Sequence, residues 1–168
     1  GLPFRGRAYH TYGYNNIRDY ALADDKCGFE QLIERHSFID GNRVGVYGHS
    51  GGGMMSTAAI CTYPDFYKAC VSSAGNHDNN IYSQFYVESH FAIDEQVKTI
   101  EEKVKTKDGR DSVVTREKSV YSMNLPTNME LAKNLKGHLM LVVANLDGNV
   151  HPAHTMRMVD AFINQGKI

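Results

Sequence analysis

The run Gly48-His49-Ser50-Gly51-Gly52 sets a serine among glycines, directly after the short apolar stretch Val44–Tyr47. A serine hydroxyl is a weak nucleophile until a base takes its proton, and attack on a carbonyl creates an oxyanion that needs donors. The G-x-S-x-G pattern addresses the geometry of both needs. A strand enters a sharp bend, the serine takes a strained backbone conformation above the sheet, and a helix begins behind it. Glycines at 48 and 52 are expected because a side chain at either would strike the neighbouring strand or helix. The N–H of Gly51 would then face the developing oxyanion, with the positive end of the helix behind it. Two other glycine-rich devices fit less well. A phosphate-binding loop needs Lys then Ser or Thr after its last glycine, but Gly53 is followed by Met54 and Met55. A dinucleotide turn needs G-x-G-x-x-G spacing, which is absent here.

A serine nucleophile in this architecture is followed in the chain by an acid and then a histidine. Asp147 comes directly after the apolar run "HLMLVVANL", at the carboxyl end of an expected strand. An aspartate there can hold an imidazole in the correct tautomer and stabilise its protonated form. His151 and His154 follow too closely for the usual third partner, which comes after a helix and another strand, roughly 30 residues on. The expectation is therefore that the base lies beyond Ile168. His151 is read as helping to structure the loop.

The elements that must position these groups alternate. "DDKCGFEQLIERHSFI" (Asp24–Ile39) has acidic residues first and Phe29, Leu32 and Ile33 at helical spacing, and so predicts an amphipathic helix. "VGVYG" is a short β-rich run. "GGGMMSTAAICTYP" continues as a helix that ends before Pro64. "YKACVSSAG" (Tyr67–Gly75) and "HLMLVVANL" (His138–Leu146) predict two more strands, and the run from Met156 to Ile163 a last helix with Gly166 near its end. Strands that are apolar on consecutive positions and alternate with helices indicate an α/β fold: a parallel sheet with helices on both faces. The charged segment Val97–Met123, with "KDGR" at its centre, breaks the rhythm and predicts an exposed β-hairpin insertion at about 97–123.

Composition narrows the setting. The 168 residues carry a formal charge of −1, which exerts no general pull on nucleic acid or anionic lipid. No apolar run approaches the roughly 20 residues needed to span a bilayer. Cys27, Cys61 and Cys70 have neither disulfide nor zinc spacing, so no metal site is read from them.

"RGRAYH", "YGHSGGGMMS", "KACVSSAG" with "YSQFYVES", and "LDGNVHPAHTMRMVDAFINQGK" together resemble the prolyl oligopeptidase family of serine peptidases, in its dipeptidyl peptidase IV-like branch. The resemblance covers nearly the whole chain apart from the charged hairpin. It implies a partial α/β-hydrolase fold, a truncated catalytic domain at 1–168. The N-terminal propeller and the terminal strand with the catalytic histidine would lie outside it. It implies hydrolysis of peptide bonds, after proline, with Ser50 as nucleophile, Asp147 as triad acid and Gly51 N–H as an oxyanion donor. Asn149 matches an asparagine that binds a carbonyl near the substrate's amino end. Tyr82 or Tyr86 corresponds to an aromatic of the proline-accepting pocket. The resemblance calls for no cofactor, suggests an extracytoplasmic location, and makes a peptide the partner of the site. The sequence departs from the pattern in three places: His49 stands where an aromatic is usual, Ala144-Asn145 where His-Gly is usual, and Gly148 where a second acid is common. The same elbow also serves esterases, and a non-catalytic binding domain could retain it. A sheet with part of its surface uncovered is expected to self-associate, making a homo-oligomer an open expectation.

Overall fold

A computed structural model describes residues 4–91, 93–105 and 108–168. The chain divides into two compact units. One runs to Phe91 and resumes at Leu125, and the other is the segment between them.

In the larger unit, helices α1 (Arg7–His10) and α2 (Leu22–Arg35) precede strand β1 (Val44–His49). Helix α3 (Gly51–Thr62), strand β2 (Tyr67–Ser73), and helix α4 (Gln84–His90) follow. After the insertion, a 3-10 helix at Asn128–Asn134 leads to the last strand and helix α5 (Ala153–Asn164). Helix α2 stops at Arg35, short of the expected Ile39. His36 turns extended, and the Asp40 carboxylate instead accepts from the Asn42 N–H at 2.9 Å to build a turn.

The last strand of this sheet, His138–Val142, is the fifth in the chain (β5), because the insertion supplies β3 (Asp94–Lys105) and β4 (Asp111–Ser122). The order β1-β2-β5 is parallel throughout. Register places His49 opposite Ser73, and Ser73 opposite Val142. The carboxyl ends of all three strands are therefore level at one edge, where the loops carrying Ser50 and Asp147 leave the sheet.

One face of the sheet is covered. Val44 and Cys70 pack with Ala58, Ile60, Tyr67, Met158 and Phe162, and Leu139 and Leu141 pack against that cluster. The α/β class and the parallel sheet agree with the sequence. The apolar runs, however, predict strands covered on both faces, and the alternate positions are open among the described residues. Tyr47, Val71 and Met140 lie in one cross-strand row and are 86%, 41% and 61% exposed. A period of two sends consecutive apolar residues to opposite faces, so such a run marks two apolar faces without saying what covers the second.

The insertion is an antiparallel hairpin whose register runs from Asp94–Ser122 to Lys105–Asp111. Its first strand begins at Asp94, a few residues before the expected Val97. Gly109 has φ 77°, as its Asp-Gly turn requires, and residues 106 and 107 lie outside the described residues. Among the described residues no helix is long and apolar enough to cross a membrane.

Phe162, 1% exposed, is among the largest buried side chains and joins α5 to the core. Phe162→Ala is expected to cost about 3–5 kcal/mol, read as a shift of the denaturant midpoint at unchanged slope.

Candidate active site

Ser50 sits between β1 and α3 with φ 57° and ψ −122°. A β-carbon at positive φ is strained by on the order of 1–3 kcal/mol, which persists only where surroundings over-determine it. Here the Ser50 N–H donates to the Ser73 carbonyl at 2.8 Å, tying the bend to β2. The Ser50 carbonyl accepts from the Met54 N–H at 3.0 Å, closing the first turn of α3. The hydroxyl makes no capping bond, so the side chain is not spent on the helix end.

The glycines around it differ in their reasons. A β-carbon at Gly48 would lie 2.2 Å from the Gly52 carbonyl oxygen and 2.8 Å from Ser56 Oγ. One at Gly53 would lie 2.7 Å from the Ser73 carbonyl oxygen. Gly52 has nothing within 4 Å of such an atom, contrary to the steric role expected of it; the close helix-to-strand approach occurs at Gly53. Gly51 opens α3, and its N–H is one of the first-turn donors that a helix leaves without an internal partner.

Asp147 lies in the loop after β5, partly exposed. Its Oδ1 accepts from the N–H groups of Asn149 and Val150, each at 2.9 Å. These bonds, Asn149 first, hold the carboxyl below its ordinary value, with smaller contributions from the charges of His49 and His154. The carboxylate thus stays ionised and oriented, and it lies within electrostatic reach of the residue beside Ser50.

The three residues expected to contact substrate come together. Tyr82 Oη donates to Asn149 Oδ1 at 3.1 Å. The Tyr82 and Tyr86 rings meet edge-on with centroids 5.1 Å apart, and Tyr86 stacks on His90 at 4.3 Å. Burial pushes the Tyr86 phenol upward. An aromatic corner beside an amide side chain suits a compact apolar ring next to a peptide group.

Beneath this corner lies a buried polar cluster that sequence reading missed. His154 is 1% exposed, and its Nδ1 accepts from the Asp78 N–H at 3.3 Å. The Asp78 carboxylate accepts from Asn80 N–H at 3.0 Å and from Arg157 Nη1 at 2.5 Å. Asn128 Nδ2 lies 2.9 Å from His77 Nδ1 and donates to the Met54 carbonyl at 2.8 Å. With Nδ1 accepting, the proton of His77 resides on Nε2. Burial, then the neighbouring His154, lowers His77 to about 4. The available signal was "GNHDNN", a polar run at the carboxyl end of β2 where loops gather function. His151 Nδ1 accepts from the Ala153 N–H at 3.1 Å and so braces the loop. Among the described residues, no group of three or more His, Cys, Asp or Glu is placed to hold a metal ion.

The prolyl oligopeptidase family profile matches residues 1–168. The chain belongs to that family. It is similar to human dipeptidyl peptidase 8, 26% identical over 99% of the chain and 16% of that protein. It is similar also to dipeptidyl peptidase 4 of Trichophyton rubrum, 22% identical over 99% of the chain and 19% of that protein. It thus spans less than a fifth of these curated relatives. Two solved structures share the fold. The first is a candidate dipeptidyl aminopeptidase IV of Bacteroides ovatus (TM-score 0.74, 22% identity, 98% of this chain and 20% of that one). The second is dipeptidyl peptidase 4 of Porphyromonas gingivalis (TM-score 0.69, 19% identity, 96% of this chain and 20% of that one).

His77 binds its proton more weakly folded than unfolded. Its contribution to stability is therefore complete above its ordinary value of 6.5 and is lost as pH falls from there toward about 4. Denaturant unfolding across that range should show stability falling with pH, and His77→Gln should flatten the slope by up to one proton's worth.

Proposed function

We propose that these residues form the nucleophile-and-acid portion of a serine peptidase that cleaves peptide bonds after proline. The observation that carries the reading is the strained Ser50, held at φ 57° with its hydroxyl free of the helix cap. Strain at a residue whose side chain does no structural work is what a pre-organised nucleophile requires.

In this reading Ser50 Oγ attacks the substrate carbonyl. Its proton passes to a histidine supplied from outside residues 1–168, and Asp147 orients that ring and stabilises its charge. Four histidines of the chain, at 49, 77, 151 and 154, suit the role poorly. His77 and His154 are buried, His49 Nδ1 lies 3.1 Å from Ser73 Oγ, and His151 braces its own loop. The Gly51 N–H stabilises the oxyanion; loss of one such donor costs about 2.7–4 kcal/mol in comparable sites. Tyr82 and Tyr86 receive the proline ring, and the Asn149 amide binds a neighbouring substrate carbonyl. The relatives are named dipeptidyl peptidases, which favours a peptide over a simple ester as the substrate.

The test uses the full-length gene product with a Gly-Pro chromogenic amide. Turnover should fall at least about 1000-fold in Ser50→Ala, and a fluorophosphonate should label Ser50. Turnover of p-nitrophenyl esters alone, or no labelling, would overturn the reading. Tyr82→Phe removes the bond to Asn149 and should raise KM about 2- to 10-fold with kcat little changed, as measured by steady-state kinetics on the same amide.

A further inference from the structure

Asn149 is exposed and Tyr82 only partly buried, and a single hydrogen bond so open to solvent does not by itself hold two loops together. The structure supplies a second attachment directly beneath them. Asp78, at the start of the turn that delivers Tyr82, is gripped from α5 in two places. Its backbone N–H donates to His154 Nδ1, and its carboxylate, with a side chain 4% exposed, accepts from Arg157 Nη1. Residues 154 and 157 are three apart on one helix and so share a face. Asp78 also shapes the turn itself, since its Oδ1 accepts from Asn80 N–H and from Asn80 Nδ2 at 2.8 Å. The Tyr82 ring in turn leans on His154, with centroids 5.7 Å apart. The acid loop runs directly into α5. A closed circuit results: from Asp78 along the chain to Tyr82, across to Asn149, through the acid loop to α5, and back through Arg157 to Asp78.

We propose that Arg157 is a positioning residue for substrate binding. By pairing with buried Asp78 it locks the 76–82 turn to α5 and thereby sets Tyr82 against Asn149. The inference rests on the peptidase reading for its substrate, but not for its geometry. Arg157 stands well inside α5 rather than at the acid loop, and half of its side chain is exposed. Its task is mechanical: a buried carboxylate that loses its cation must find water or another donor, and the turn must move to provide it.

In the full-length gene product, Arg157→Ala should raise KM for the Gly-Pro amide about tenfold and leave kcat within about threefold. Arg157→Lys should recover most of the loss. The fluorophosphonate labelling rate of Ser50 should be unchanged, because the nucleophile is not touched. The decisive comparison is the double variant: if Arg157 acts through Tyr82, adding Tyr82→Phe to Arg157→Ala raises KM no further. Multiplying effects, or a fall in kcat equal to the rise in KM, would overturn the proposal. Should the unmodified protein fail to cleave the amide, the peptidase reading fails alone. The clamp is then read by hydrogen exchange, where Arg157→Ala must accelerate amides 76–82 relative to those of β2, and equal rates would overturn it. If Arg157→Ala does not fold, Asp78→Asn, which keeps the turn's bond to Asn80, takes its place in each comparison with the same expected outcomes.

Discussion

The bend at Ser50 is the constraint on which the site depends. An L-residue at φ 57° and ψ −122° relaxes unless both flanks forbid it, and here they do. On the strand side, the Ser50 N–H is committed to the Ser73 carbonyl of β2. On the helix side, α3 approaches β2 so closely that Gly53 has no room for a β-carbon, and Gly48 is crowded by the Gly52 carbonyl. Helix α3 cannot slide away to relieve the bend because nearly all its sides are buried. Gly53, Met54, Ser56, Thr57, Ala58, Ala59, Ile60 and Cys61 are all inside, so no single apolar stripe describes it. The strain is thus sustained by the core rather than by the loop that displays it.

The sequence made some of this legible and hid the rest for identifiable reasons. The bend at Ser50 and the glycine at 48 are legible because close contact between strand and helix leaves few alternatives in residue type there, and the place of Asp147 after β5 is legible because an apolar run marks the strand that it follows. The strands were readable as apolar runs, but their outer face was not. Tyr47, Val71 and Met140 look like core residues in a linear string, and only the period of two across a register separates them from Val46, Cys70 and Leu139. Gly52 was assigned a steric role that belongs to Gly53, because spacing alone does not say on which turn of a helix the sheet makes contact.

The buried cluster of His77, Asp78, Asn128 and His154 was illegible for a different reason. Polar residues between elements read as loop, and a loop is normally at the surface. Their burial depends on partners distant in the chain: Asn128 meets Met54 across 74 residues and Arg157 meets Asp78 across 79. No local window contains both halves of such a bond. Buried polar groups are tolerated when they are satisfied, and most polar atoms of this cluster find a partner within it or beside it, with His77 Nε2, Asn128 Oδ1 and His154 Nε2 left without one among the described residues. A satisfied polar cluster specifies one arrangement more sharply than an apolar contact of equal size, because its bonds are directional.

Met54 is where the two systems join. Its N–H donates to the Ser50 carbonyl, and its own carbonyl accepts from Asn128 Nδ2. Asn128 in turn donates its N–H to the His77 carbonyl, and the adjacent Asp78 donates to His154 at the head of α5. The elbow and the helix behind the acid loop are therefore fixed to one hydrogen-bonded frame as well as to one sheet. Level strand ends bring Ser50 and Asp147 to the same edge, but a sheet edge alone fixes loops only at their roots. The polar frame fixes them a second time, through His77, Asp78 and Asn128 in the segments that follow the strands. That division of labour gives the buried histidines a place in the structure: apolar packing sets the distance between elements, and directional bonds set the orientation of the groups they carry.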